Sequence, residues 1–329
     1  MLKRRVREVA GLTLTAIRKV VGKLSATVQQ DRMLDAAHAH AVQRDDGSLA
    51  GKRVLVTGST RGIGRALAIA FVQQGASVVV HGRDEAAARK AAAEILDAAA
   101  PKQPQLKVVG LGADLSAPGA GRALVEQAVR ALGGIDLVIN NAAIHDAKRK
   151  PFWSTSSDEM QRILAINLLA PFDVSAAAVA SMLAQGIPGR IINLSTGAAD
   201  PAKVGDGGIA SYGISKMGLE GMSQYLAAEA RTVTVVTLRP DTIDTDMVEP
   251  LFPTEQRWRM LPPESMVAPT LFLARAPRQQ VHGRIFEQLQ VVKALAESES
   301  GTPTVESIGF DPRVAATQAR ASIEQLSQT

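Results

Sequence analysis

Between Gly51 and Glu287 short, almost continuously apolar runs alternate with longer stretches that are apolar every third or fourth residue. The short runs are Lys52–Val56, Ser77–His81, Leu106–Gly112, Ile135–Ile139, Arg190–Leu194 and Val233–Leu238. Their β-branched content predicts strands buried on both faces. Helical spacing marks Arg65–Val72, Asp84–Ala100, Gly119–Leu132, Ser157–Gln185 (interrupted near Pro171), Ala210–Ala230 and Glu264–Arg275. A short last strand is expected at Gly283–Phe286. Strand–helix alternation of this kind predicts a parallel sheet with helices on both faces, and right-handed crossovers make it one doubly wound α/β domain. Ligands of such a domain gather at the carboxyl ends of its strands.

Outside that rhythm the pattern loosens. Residues 1–30 carry Leu2, Val6, Val9, Ile17, Val20, Leu24 and Val28 at steps of three and four, with basic residues mostly elsewhere. That spacing predicts an amphipathic helix. The preferred reading docks it on its own domain or on a sister subunit. A helix lying on an anionic membrane surface is the second reading, and a targeting presequence or disordered arm the third. Residues 31–50 read as a polar linker, and residues 241–263 as a mobile apolar flap with Met247, Leu251, Phe252, Trp258 and Met260. The tail from Ser298 is polar, then weakly helical from Arg313 to Leu326. The expected organisation is an N-terminal extension and linker over residues 1–50, a catalytic domain over 51–287 and a C-terminal extension over 288–329.

Composition narrows the chemistry. Aromatic residues make up only 3%, so the core must be built from Ala, Val, Leu and Ile. The chain has no cysteine, which removes disulfides, thiolate metal sites and cysteine nucleophiles together. That absence fits a reducing compartment, and a cytoplasmic location is expected. No apolar run approaches the ~18 residues needed to span a bilayer. The net charge of +5 is concentrated in residues 1–30, where Lys3, Arg4, Arg5, Arg7, Arg18, Lys19 and Lys23 face only Glu8. The rest is close to neutral, so no nucleic-acid surface is expected. His38 and His40 stand too far from other ligand types to argue for a metal.

The turn Thr57-Gly58-Ser59-Thr60-Arg61-Gly62-Ile63-Gly64 joins the first strand to the first helix. Glycines spaced this way on a strand-to-helix turn let the chain turn sharply, bring backbone N–H groups up to a pyrophosphate and pack helix against strand. The helix N-terminus then faces the phosphates. A second candidate is Tyr212-Gly213-Ile214-Ser215-Lys216, where a lysine one helical turn after one of only two tyrosines favours the phenolate. A tyrosine so tuned can exchange a proton with an alcohol or carbonyl oxygen near neutral pH.

With these motifs in this order, the chain resembles the short-chain dehydrogenase/reductase family over roughly Gly51–Glu287. The resemblance implies a Rossmann-like fold, a homo-oligomer, a nicotinamide cofactor and a small carbonyl or alcohol substrate with apolar bulk. Gly58, Ser59, Arg61, Gly62, Ile63 and Gly64 match the family's cofactor turn, Asp114-Leu115 its adenine contacts and Asn140-Asn141-Ala142-Ala143 its sheet-stabilising segment. Ile243 and Thr245 match the loop that holds the nicotinamide carboxamide. By the same resemblance Asn167, Ser195, Tyr212 and Lys216 are the catalytic set. Ser195 and Tyr212 act on the substrate oxygen, Lys216 lowers the tyrosine pKa and binds the ribose, and Asn167 holds a water. A cofactor-binding protein with little redox turnover, acting as a scaffold or partner, or a reshaped site with different chemistry, is the rival reading.

Cofactor choice follows from charge. The second strand ends His81-Gly82-Arg83 where an acidic residue would select NAD, and Arg61 lies inside the turn. Two guanidinium groups suit a 2′-phosphate, so NADP(H) is expected. Three departures from the family pattern stand out: Ala143 and Asp241, where glycines are usual, and a long Ser195–Tyr212 interval. Phe152, Trp153, Phe252, Trp258 and Met260 are candidates for an apolar substrate pocket, with His145 as one polar contact. They are equally candidates for core or oligomer contact.

Overall fold

The computed structural model describes residues 29–39, 41, 47–101, 105–146, 148–203, 207–252, 255, 257, 260–298 and 309–310. Each apolar run becomes a strand: β1 (Arg53–Val56), β2 (Ser77–Gly82), β3 (Val108–Gly112), β4 (Leu137–Asn140), β5 (Arg190–Leu194), β6 (Thr234–Arg239) and β7 (Ile285–Glu287). These seven pair in parallel in the order β3-β2-β1-β4-β5-β6-β7. A short β8 (Gly309–Phe310), which the pattern did not predict, pairs antiparallel with β7. The order reverses between β1 and β4, which leaves a crevice at their carboxyl ends.

Period-two alternation divides the core between the two faces of the sheet. Val54 and Val56 of β1 pack on one side with Phe71 of α1 (Gly62–Gln73) and Leu271 of α7 (Val267–Arg275). Leu55 between them packs on the other side with Leu124 of α3 (Ala120–Leu132) and Met182 of α5 (Ala170–Ala184). Asp84 caps α2 (Glu85–Ala99), accepting from Ala87 N–H at 2.7 Å. Ser156 and Glu159 form a reciprocal capping box at the start of α4 (Ser157–Leu164).

The interruption expected near Pro171 is a widened turn, Ala165–Leu169, inside one continuous helix from Ser157 to Ala184. Pro171 has no N–H for the carbonyl of Asn167, four residues earlier, and the ladder widens just there. This corrects the expectation that no run is long and apolar enough to span a bilayer. The helix meets that test by length and composition, with a mean hydropathy of 1.8 over its most apolar window. Ile163, Val174, Ala178 and Met182 are nevertheless buried in the domain, while Leu169, Phe172 and Leu183 on the same helix are exposed.

The linker expected over residues 31–50 is also corrected. Residues 29–39 are helical, and Ala37, Ala41 and Leu49 are buried in the same cluster as β1 and α1. Alanine's small side chain disguised the apolar face. After β7, α8 (Gln288–Glu297) likewise buries Val291, Val292 and Leu295 in that cluster. The helices expected over residues 1–30 and Arg313–Leu326 lie almost wholly outside the described residues.

Candidate active site

The glycine turn after β1 is held from three sides. Gly58 has φ +64°, and a Cβ there would come within 2.9 Å of Ala142 Cα. At Gly64 a Cβ would lie 2.4 Å from the Gly58 carbonyl oxygen, so only glycine lets α1 pack on the turn. Asn141 donates from Nδ2 to the carbonyls of Thr57 and Gly58, at 2.8 and 2.9 Å. His81, at the end of β2, accepts from Gly58 N–H through Nδ1 at 3.0 Å and reaches the Ala113 carbonyl through Nε2 at 3.0 Å. No side chain caps the N-terminus of α1, and its first turn contains no acid. Its free amides therefore suit an anion.

An open cleft of about 1490 Å³ runs from this turn across the carboxyl ends of the strands. Tyr212 and Lys216, on α6 (Ala210–Glu229), line it, together with Thr196 after β5. Burial pushes the Tyr212 phenol up to about 12, against a side-chain hydrogen bond from Thr196 that lowers it. Lys216 is buried; desolvation brings it down to about 8, with Glu220 holding it up in part. Its Nζ donates to the Leu194 carbonyl at 2.7 Å and lies 5.9 Å from the centre of the Tyr212 ring. Lysine and tyrosine thus share one wall, but burial dominates the phenol. The expected lowering of the tyrosine by Lys216 is not seen in this structure.

A profile of the short chain dehydrogenases matches residues 52–256, well over half of the chain. The chain belongs to the short-chain dehydrogenase family. It is 35% identical to NADPH-dependent aldehyde reductase 2, chloroplastic, of Arabidopsis thaliana over 221 residues, covering 64% of this chain and 79% of the relative. Among solved structures, a blue fluorescent protein from a metagenomic library in complex with NADPH superposes with a TM-score of 0.63 at 28% identity, covering 73% and 96% of the two chains. A 3-ketoacyl-(acyl-carrier-protein) reductase of Brucella melitensis complexed with NADH gives 0.64 at 26%, covering 73% and 97%.

This short-chain dehydrogenase brings most of the expected residues to one cleft. Gly58, Arg61, Gly62, Ile63, Arg83, Asp114, Leu115, Asn141, Ser195, Tyr212, Lys216, Ile243 and Thr245 all line it. Four expectations need correction. Ser59 is fully buried and fastens the turn, donating to the Val56 carbonyl at 2.6 Å and accepting from His81 N–H at 2.9 Å. Gly64 is a packing glycine beneath the turn rather than a wall of the cleft. The Asn167 side chain is spent on Ile144, at 2.8 and 2.9 Å, and on Ser215 Oγ at 3.0 Å. It ties the loop after β4 to α6 and leaves no side-chain donor for the expected water.

Ser195 is the fourth. Its hydroxyl donates to Glu220 Oε1 at 2.7 Å in a buried network, where Arg239 also grips Glu220 with two bonds of 2.7 Å. The hydroxyl facing Tyr212 belongs to Thr196, one residue later. Adjacent hydroxyl residues after a strand should have raised the choice, because successive side chains point to opposite sides. His81 was also missed as a clasp for the turn. Of the apolar candidates, Phe252 lines the cleft and stacks under Arg149 at 5.1 Å, whereas Met260 is buried elsewhere. Phe152 and Trp153 are exposed, and Trp258 lies outside the described residues. Asp241 replaces the usual glycine without strain, its carboxylate accepting from Thr242 N–H at 2.6 Å. Among the described non-glycine residues only Ala100 has a positive φ.

The His81 clasp has a pH signature. Burial holds its pKa below the ordinary value, and Nδ1 accepts from Gly58 only while unprotonated. A base depressed in the folded state contributes stability above the unfolded pKa of about 6.5 and loses it as pH falls. We expect Tm to fall between pH 7 and 5, and His81→Gln to flatten part of that slope. Equal slopes in the two melting series would remove the clasp from the argument.

Proposed function

We propose that this oxidoreductase interconverts a carbonyl and an alcohol with NADP(H), using Tyr212 as the proton donor. The observation that carries the reading is one cleft holding a glycine turn with free helix amides at one end and Thr196, Tyr212 and Lys216 at the other. A bound nicotinamide supplies the hydride. Gly58, Gly62 and Ile63 would hold its pyrophosphate, Arg61 with Arg83 its 2′-phosphate, Asp114 and Leu115 its adenine, Asn141 the inner wall, and Ile243 and Thr245 its far end. Thr196 holds the substrate oxygen in the place expected for Ser195. Tyr212, protonated at neutral pH, gives that oxygen a proton when the carbonyl is reduced. Lys216 keeps its ammonium near neutrality and, on turning from the Leu194 carbonyl, can bind a ribose hydroxyl. Asn167 holds the loop after β4 against α6.

The choice of NADP(H) rests on what the acids after β2 are doing. Asp84 caps α2, and Glu85 accepts from Arg89 and from Gly112 N–H, so neither is free for a ribose diol. Arg83 stands exposed on the cleft wall. The Arabidopsis relative is NADPH-dependent by name, and one superposed structure holds NADPH; the Brucella enzyme holds NADH. Arg83→Ala should weaken NADPH binding by about 1.5–3 kcal/mol and leave NADH nearly unchanged. Arg61→Ala should cost less, since Arg61 is already paired with Asp246 at 2.9 Å. Equal losses for both cofactors, read by titration, would mean that Arg83 does not read the 2′-phosphate.

The rival, a cofactor-binding scaffold with little turnover, predicts the same titration without catalysis. NADPH oxidation over a panel of aldehydes and ketones, run beside the titration, separates the two. Binding without turnover on any member would overturn the oxidoreductase reading.

A further inference from the structure

We propose that His145 is a specificity residue: beside Tyr212 it presents a hydrogen-bond acceptor to a substrate hydroxyl, so that the preferred substrates are hydroxy-substituted carbonyls. This rests on the oxidoreductase reading above and names the substrate class for that site. His145 lines the cleft, half-buried, with its ring stacked on that of Tyr212 at 4.3 Å between centres and 27° between planes. Any substrate oxygen within reach of the phenol therefore brings its neighbouring atoms close to the imidazole.

The tautomer follows from one contact. Nδ1 lies 3.1 Å from the carbonyl oxygen of Asp146, which can only accept, so Nδ1 carries the hydrogen. Nε2 is then a lone-pair acceptor, and no described residue hydrogen-bonds to it. Burial keeps the imidazole pKa below its ordinary value, so this neutral form prevails at pH 7. A half-buried acceptor on the cleft wall is open to a donor from water, which a ligand hydroxyl can replace.

The ring is also fixed in place. On one side Ile144 is gripped at both its N–H and its carbonyl by the Asn167 side chain. On the other the buried Asp146 carboxylate accepts from Ser211 Oγ, one residue before Tyr212. The imidazole is thus tied to the helix that carries the phenol. A fixed acceptor at a fixed distance from a reacting oxygen discriminates through geometry, at little entropic cost. A ring needed only to cover Tyr212 could equally be phenylalanine, which distinguishes the two roles.

The test uses the full-length protein with NADPH and a series of matched pairs, each an α-hydroxyketone and the ketone lacking that hydroxyl. For wild type, His145→Phe and His145→Leu, kcat/KM is measured for both members of each pair. Taking the ratio within each protein, then between proteins, cancels the intrinsic reactivity of the hydroxyketone. His145→Phe should lower the preference for the hydroxyketone over its plain ketone about tenfold or more. His145→Leu should give the same loss of preference and serves if the phenylalanine chain fails to fold. An unchanged preference, or an equal fall on both members, overturns the inference and leaves the oxidoreductase reading standing. NADPH binding with no turnover of any pair by wild type overturns both.

Discussion

Tyr212→Phe should lower kcat at least about a hundredfold while leaving NADPH affinity nearly unchanged. The phenol lies on the cleft wall beside the Thr196 hydroxyl, with the Lys216 ammonium 5.9 Å from its ring centre. Phenylalanine keeps the ring that stacks on His145, so packing around the turn is preserved. What disappears is the proton and the hydroxyl that holds the substrate oxygen. The loss should therefore appear in kcat rather than in cofactor binding. Titration and turnover on the same preparation check it, and a variant keeping more than about a tenth of wild-type kcat would remove Tyr212 from its role.

The fold was legible because its signals are local. Strands buried on both faces read as continuous apolar runs, and every such run in the sequence became a strand within two residues of the expected ends. The glycine turn was legible for the same reason: Gly58 adopts φ +64°, and a Cβ at Gly64 would meet the Gly58 carbonyl six residues earlier. What could not be read was set by contacts between distant segments. Ala37 and Ala41 show no amphipathic contrast, so their burial against the core has no sequence signature. Glu220 claims Ser195 across 25 residues, and Arg239 fixes that glutamate from β6. Nothing in the Ser195-Thr196 pair itself says which hydroxyl is spent. Likewise Lys216 at one turn from Tyr212 predicts a lowered phenol, whereas the depth of the site decides the opposite. The last turn of a strand and the first of a helix are readable as motifs; the side-chain rotations at their ends are tertiary.

That gap leads to the most discriminating expectation. Thr196→Val should lower kcat about a hundred- to a thousandfold, the cost of removing one donor from the oxygen at which charge changes during hydride transfer. Valine is nearly the same shape, so the loss would belong to the hydroxyl, and Thr196→Ser should restore most of the rate. Ser195→Ala should behave in the opposite way. Its hydroxyl touches Glu220, whose oxygens remain bonded to Arg239 at 2.7 Å, so no buried acceptor is orphaned. The expected cost is about 1 kcal/mol of stability, the net worth of one hydrogen bond, with kcat largely kept. Melting and turnover of the three variants on one substrate decide between the two hydroxyls. If Ser195→Ala abolished turnover in a chain that still melts like wild type, while Thr196→Val kept it, Ser195 would have to leave Glu220 during the reaction. The substrate oxygen would then sit deeper against β5 than Thr196 allows.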